Sequence, residues 1–337
     1  MRLARAATDH LSSVVKQHAI ECDWSVDGKY QTAVTDAGSA AMLEPFANEL
    51  DALGESYQWV RGDELAAKLG TNHFKHAVYT PSCVLMNPAA LTRGLADSLP
   101  SNVQLYENTP VTSITSSNGI QVSTPNGEIV APRMILAANG FSDQFGYTAN
   151  SFVHLALRAS LTRPLNEQER RAYGDIRPWG VTPGNAFGGV TMRYTNDHRL
   201  LIRQNITLNM KQNMSAATTQ KVVGQHMHIL RDRFPELPNL TFENTWVGYI
   251  CLSRNGAPAF GPVAPNVWIA ACQNGIGVTK GTISGLLAAD MACEQENSLL
   301  PDMLSLGSPT TLPPKPIVEV GARLMMKREL WKNRYES

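Results

Sequence analysis

Asn266-Val267-Trp268-Ile269-Ala270-Ala271-Cys272, then Gln273-Asn274-Gly275-Ile276-Gly277-Val278-Thr279-Lys280-Gly281, then the stretch 282–294 is the part of the sequence that decides the fold. The unbroken apolar run predicts a strand buried on both faces. Downstream, Ile283, Leu286, Leu287 and Met291 fall on one helical stripe. Small residues beside it, Gly281, Ser284, Gly285, Ala288 and Ala289, predict a helix lying close against a sheet. A glycine loop between buried strand and helix presents main-chain N–H groups, and the helix dipole adds partial positive charge there. Gly275 and Gly277 lack Cβ atoms, so a flat ring or a polar chain can approach the backbone. Tight helix–sheet packing selects the same glycines, so the loop by itself leaves both explanations open.

A second continuous run, Met134-Ile135-Leu136-Ala137-Ala138, ends in Asn139-Gly140 and predicts another buried strand. Ahead of it the period is two: Val103-Gln104-Leu105-Tyr106, Val111-Thr112-Ser113-Ile114, 120–123 and Ile129-Val130 predict a meander. Asn118-Gly119 and Asn126-Gly127 supply its turns. Upstream the period is helical. Leu3, Ala7, Leu11, Val14, Val15 and His18 form one stripe, and 40–53 another. Asp63 is placed to cap 64–69, with Gly70 as its stop, and Asn87-Pro88 opens a helix to about residue 99. Beyond the second run, 154–161, 190–194 and 200–204 alternate as long strands, with glycine turns at Gly184 and Gly188-Gly189. A helix at 216–234 ends at Pro235, and 241–252 resumes strand character. The last forty residues are a proline-rich arm and a basic helix through Leu324, Met325 and Trp331.

Lys+Arg number 29 and Asp+Glu 29, a balance that argues against a nucleic-acid partner. No apolar run has the roughly 18 residues of a membrane span. The N-terminus lacks a signal-peptide core. The five cysteines (Cys22, Cys83, Cys251, Cys272, Cys293) are odd in number and contain no C-x-x-C, which disfavours a disulfide framework and fits a cytoplasmic protein. His73 with His76 and His226 with His228 lack a third ligand nearby, so no metal is expected.

The order of helix, meander, buried strand ending in Asn-Gly, antiparallel insert and strand–glycine loop–helix resembles the D-amino-acid-oxidase-like (DAO) family of FAD-dependent oxidoreductases, in particular its γ-glutamylputrescine oxidoreductase type. Asn87-Pro88-Ala89-Ala90-Leu91, Thr109-Pro110-Val111-Thr112-Ser113-Ile114, Leu136-Ala137-Ala138-Asn139-Gly140, Trp246-Val247-Gly248-Tyr249 and Arg254-Asn255-Gly256-Ala257-Pro258 carry the likeness together with the 274–279 loop. The resemblance implies an α/β (α+β) fold: an FAD/NAD(P)-binding-type sheet with an inserted antiparallel-sheet substrate domain. It assigns 1–20, 98–148 and 245–300 to the FAD-binding domain, 21–97 and 149–244 to the substrate domain, and 301–337 to a C-terminal arm and helix. It implies non-covalent FAD, held by Val111, Ala137, Asn139, Gly140, Asn274, Gly275, Ile276, Gly277, Val278 and Thr279. The substrate is a small-molecule amine or amino-acid derivative whose C–N bond is oxidised to an imine and then an aldehyde. The flavin carries that chemistry, and no side chain is assigned as nucleophile. Tyr249 is expected to face the flavin, with Arg193 or Arg254 holding an anionic end of the substrate. Relatives that oxidise simple amino acids carry a carboxylate-pairing arginine where this sequence has Ile250, so an amine with a distant acidic group is expected. Cys251 does not fall at the flavin-attachment position of sarcosine oxidases and is expected to be a buried, inert thiol.

The sequence departs from the family at its start. No G-x-G-x-x-G follows a strand upstream of residue 103, so a βαβ unit of roughly 30 residues or more is expected to be missing. The expectation is an N-terminally truncated FAD-binding sheet in which 134–138 and 267–271 lose neighbours. Either Met1 is internal to a longer reading frame, or the chain folds around the gap, by pairing in an oligomer or by closing its own sheet. The alternative function is then a flavin-free, non-catalytic fragment acting as a binding module.

Overall fold

The structure, a computed structural model, describes the chain apart from residues 117, 118, 149, 185–188, 214, 215 and 337 and the side chains of 205 and 216–218. The predicted turns at Asn118 and Gly188 lie in part outside the described residues. Along the chain the strands are β1 (Lys29–Ala33), β2 (Gln58–Arg61), β3 (His76–Thr80), β4 (Ser113–Thr115), β5 (Ile120–Thr124), β6 (Gly127–Ala131), β7 (Met134–Leu136), β8 (Phe152–Thr162), β9 (Trp179–Pro183), β10 (Thr191–Tyr194), β11 (Leu200–Leu208), β12 (Phe242–Ser253), β13 (Ala259–Ala264) and β14 (Val267–Ala271). Two compact units result. One holds Met1–Cys22, Pro88–Leu155 and Tyr249–Glu319; the other holds Asp23–Asn87, Ala156–Gly248 and Val320–Ser337.

In the first unit β14 lies between β13, antiparallel, and β7, parallel, with Trp268 opposite Ile135 and Ile269 opposite Leu136. Val267, Ile269 and Ala271 are buried, as the apolar run requires. The strand at 267–271 therefore keeps neighbours on both sides, contrary to expectation; β7 is the edge, and Ile135 on it is exposed. The helix Gly277–Ala292 packs Ile283 and Leu287 against Ala7 of the helix Arg2–Gln17 and against Met303. That helix begins at Gly277, five residues before the predicted start, because the Lys280 amide already bonds the Ile276 carbonyl at 3.1 Å. The helix Pro88–Asp97 belongs here rather than with the substrate part. A Cβ on its Gly94 would lie 2.2 Å from Ile20 Cγ2, so only glycine permits that approach. β4, β5 and β6 form the predicted meander sheet. Val103-Gln104-Leu105-Tyr106 is not a strand: among the described residues no strand pairs with it, and Val103, Leu105 and Tyr106 are exposed.

The second unit is built on a sheet ordered β12-β8-β11-β10-β9-β1-β3-β2; the unit boundaries fall within β8 and β12. Its pairing is not purely antiparallel as expected, since β1 runs parallel to β9 with Tyr30 opposite Val181. β1, β2 and β3 fall in stretches to which the sequence pattern assigns no element. Met192, Leu200 and Ile202 of the sheet pack with Leu230 and Phe234 from the helix Ala216–Arg233 and its end. The helix Gly62–Leu69 stops at Gly70 in the left-handed region (φ 67°), where a Cβ would collide with the Tyr173 ring. Asp63 does not cap that helix. Extended Arg61 occupies the N-cap, and Asp63 and Glu64 sit in the first turn, where their charge complements the dipole.

A buried polar chain crosses this unit: Ser160 Oγ lies 2.8 Å from His226 Nδ1 and 2.8 Å from Thr245 Oγ1. Burial, with the Arg158 cation nearby, pulls the His226 imidazole down to about 4, and burial does the same to His73. Both stay neutral in the fold while the unfolded chain titrates near 6.5, so as pH falls the unfolded state takes up protons first. Stability is complete above that value and is lost on going toward 4. Urea unfolding is expected to show a loss on the order of 1–2 kcal/mol per histidine between pH 7 and pH 5. His226→Gln should remove about half of that pH dependence; a variant with the full dependence would contradict the assignment.

Candidate functional site: the strand-end loops of the first unit

Because β7 and β14 are parallel neighbours, the segments that leave them emerge at the same end of the sheet, the usual ligand end of parallel sheets. Ala137, Asn139 and Gly140 follow β7, and 272–276 follows β14. The two are tied at one atom: Asn139 Oδ1 accepts from the Gln273 amide at 3.4 Å and from Cys251 Sγ at 3.5 Å. Sharp backbone turns make the crossing, with Asn139 (φ 45°), Cys272 (φ 53°), Asn274 (φ 53°) and Gly275 (φ 81°) all left-handed. Asparagine tolerates that region because its short side chain bonds locally. Asn274 does so: its Oδ1 accepts from the Ser253 amide at 2.9 Å, and its Nδ2 donates to the carbonyls of Cys272 at 3.0 Å and of Gly256 and Ala257, both at 3.1 Å. Loop and β12–β13 turn are thereby one rigid piece.

The front of the loop is open. Ile276 N–H bonds the Gln273 carbonyl at 3.1 Å, whereas the amides of Gly275, Gly277, Val278 and Thr279 have no acceptor among the described residues. No side chain caps the helix Gly277–Ala292. A Cβ placed on Gly275, Gly277, Gly281 or Gly285 would meet nothing within 4 Å. Close helix–sheet packing therefore does not explain these glycines; Ser284 and Ala288, fully buried, make that contact. Gln273 is buried and donates to Ser284 Oγ at 2.9 Å, while its Oε1 has no partner among the described residues. Uncommitted donors on a glycine loop, the positive end of a helix and an orphaned buried acceptor fit one edge of a polar, anion-bearing cofactor such as FAD.

The remaining expected residues divide. Tyr249 is half-buried and meets Phe141 edge-on, ring centroids 6.4 Å apart. Strand alternation puts Tyr249 on the face of Cys251, toward the loop, and Ile250 on the opposite face. Arg254 is exposed in the turn braced by Asn274. Arg193 lies in the other unit, where it donates to the Met86 carbonyl at 2.9 Å and burial lowers its guanidinium pKa. Val111 precedes β4, next to Thr112, whose amide bonds Ser123 at 2.9 Å. Sequence reasoning did not single out Gln273, or the pair His154 Nε2–Asp143 Oδ2 at 2.8 Å. Neither carries a local signal, since their partners lie 11 residues away. Among the described residues no group of three or more His, Cys, Asp or Glu side chains could hold a metal ion, and no helix is long and apolar enough to cross a membrane.

Asn274→Ala removes the brace while leaving the loop's glycines. It is expected to cost about 2 kcal/mol of unfolding free energy and to speed hydrogen exchange at the Ser253 amide. A cost under about 0.5 kcal/mol would show that the brace is dispensable.

Known proteins agree with this architecture. Residues 1–291 match the DAO family, described as FAD dependent oxidoreductase. The chain is 21% identical over 293 residues to the probable oxidoreductase OrdL of Haemophilus influenzae, covering 84% of this chain and 64% of that protein. It is 23% identical over 280 residues to the γ-glutamylputrescine oxidoreductase of Escherichia coli, covering 82% and 64%. It thus spans slightly less than two thirds of the length of these curated relatives. The crystal structure of glycine oxidase from Geobacillus kaustophilus has a similar fold, with a TM-score of 0.73 at 20% identity over 92% of this chain and 82% of that one. The family expected from the sequence motifs is the family found: the chain belongs to the DAO family of FAD-dependent oxidoreductases.

Proposed function

We propose that this chain carries the strand-end part of an FAD site and the substrate-binding part of an oxidoreductase that oxidises a C–N bond of an amine or amino-acid derivative. The observation that carries this is the open row of amides at Gly275, Gly277, Val278 and Thr279 beside Asn139 and Gly140. When bound, the flavin supplies a two-electron oxidation of the carbon beside the amine, giving an imine that water converts to an aldehyde. The protein's part is positioning. Loop amides donate toward the ring edge that gains negative charge on reduction. Tyr249 and Phe141 provide an aromatic wall that excludes water. Ile250 offers nothing to an α-carboxylate, which favours a γ-glutamylputrescine-like amine with a distant acidic group. Arg254, exposed on its braced turn, is a better anchor for that group than Arg193, which already holds the Met86 carbonyl.

A second function is favoured by a different observation. Ile129, Val130 and Ile135, on β6 and the edge strand β7, are exposed. That apolar surface suits a flavin-free chain acting as a binding module.

Titrating the purified protein with FAD separates the two. The expected result is a yellow holoprotein, with Gly277→Leu weakening FAD binding at least about tenfold, or 1.4 kcal/mol. The melting temperature of the ligand-free variant should change little, because a Cβ at 277 meets nothing within 4 Å. A wild-type protein that takes up no FAD would support the binding module; a variant that stays yellow would overturn the loop assignment.

A further inference from the structure

Three helices of the second unit, Gly62–Leu69, Glu167–Tyr173 and Ala216–Arg233, end around one open cavity of about 460 Å³. That volume lies in the range of small-molecule sites. Hydrogen bonds fix its walls. Thr71 Oγ1 donates to the Arg233 carbonyl at 2.6 Å and accepts from the His73 amide at 3.2 Å. Tyr173 Oη donates to the Leu69 carbonyl at 2.7 Å and accepts from Trp179 Nε1 at 3.2 Å.

The charges on these walls are ordered by depth. Arg233 is only 2% exposed. Its guanidinium lies over the Phe74 ring, 5.5 Å from the centroid, and Nη1 donates to Met192 Sδ at 3.2 Å. Sulfur is a weak acceptor, and among the described residues no oxygen accepts from this side chain. A cation so deep usually has a carboxylate partner; here burial lowers its pKa to about 10. Asp232 and Glu236 line the same cavity and are exposed, which puts their carboxylates at its mouth. Asp232 Oδ2 lies 3.7 Å from His73 Nδ1, too far for a hydrogen bond. The three helix C-termini add partial negative charge. None of these residues is assigned to the cofactor or the amine above.

We propose that this cavity binds a small zwitterion of the amino-acid class, its carboxylate on Arg233 and its ammonium group between Asp232 and Glu236. A simple anion would gain Arg233 but meet two carboxylates and three negative helix ends on the way in. A simple amine would satisfy the mouth and leave the buried guanidinium unanswered. Only a molecule carrying both charges answers both levels. The hydroxyls of Thr71 and Tyr173 are already committed to main-chain carbonyls, so charge rather than hydroxyl recognition selects the ligand. The site needs no flavin and stands apart from the function proposed above.

Calorimetric titration of the full chain tests this with glycine, β-alanine and γ-aminobutyrate, which space the same two charges differently, and with acetate and methylamine as half-ligands. At least one zwitterion is expected to bind at one site per chain with a Kd below about 1 mM, at least about tenfold tighter than either half-ligand. Arg233→Met should abolish that binding. Because Arg233 is buried, the exposed changes Asp232→Asn and Glu236→Gln give the same reading without touching the core, each weakening the zwitterion at least about tenfold. No zwitterion binding, or acetate binding as tightly, would overturn the proposal. So would zwitterion binding indifferent to Asp232→Asn and Glu236→Gln, since the molecule then sits elsewhere on the chain.

Discussion

The glycine loop keeps its shape because the Asn274 side chain bonds the Ser253 amide on one side and the Cys272, Gly256 and Ala257 carbonyls on the other. With the brace in place, the left-handed Cys272 and Asn274 persist that an unsupported loop would abandon, each costing on the order of 1 kcal/mol. The same brace aligns β12 with the end of β14, so Tyr249 and Arg254 take their positions from it. Everything assigned to the site is downstream of that side chain and of the parallel pairing of β7 with β14.

The geometry leaves donors without acceptors. Uncapped amides beside open space at Gly275 and Gly277 are donors that a bound molecule can satisfy. The helix dipole makes that molecule anionic or polarisable toward negative charge. A flavin ring edge meets the requirement, and membership of an FAD-dependent family makes it the first molecule to try.

Much of this was readable from the residues. β14 and its helix were legible because burial on both faces leaves an unbroken apolar run, and the Asn139-Gly140 and Asn274-Gly275 breaks fall where the chain turns. The helix start was missed because glycine has low helix propensity, and Gly277 and Gly281 read as loop. Lys29-Tyr30-Gln31-Thr32-Ala33 shows no strand pattern; β1 forms because β3 and β9, distant in sequence, flank it. Val103-Gln104-Leu105-Tyr106 has the opposite fault, a strand-like composition with no partner. Nothing in the sequence marks the Asn274 side chain as the brace between the loop and 253–257. Only the folded path of 253–257 could reveal that.

Hydrogen exchange at the Gly275, Gly277, Val278 and Thr279 amides, measured with and without FAD, tests the central claim most directly. These amides should exchange rapidly in the free protein and slow markedly on adding FAD, with the Ile276 amide already protected by its bond to Gln273. Protection of all of them before FAD is added, or FAD binding that leaves their exchange unaltered, would contradict the account.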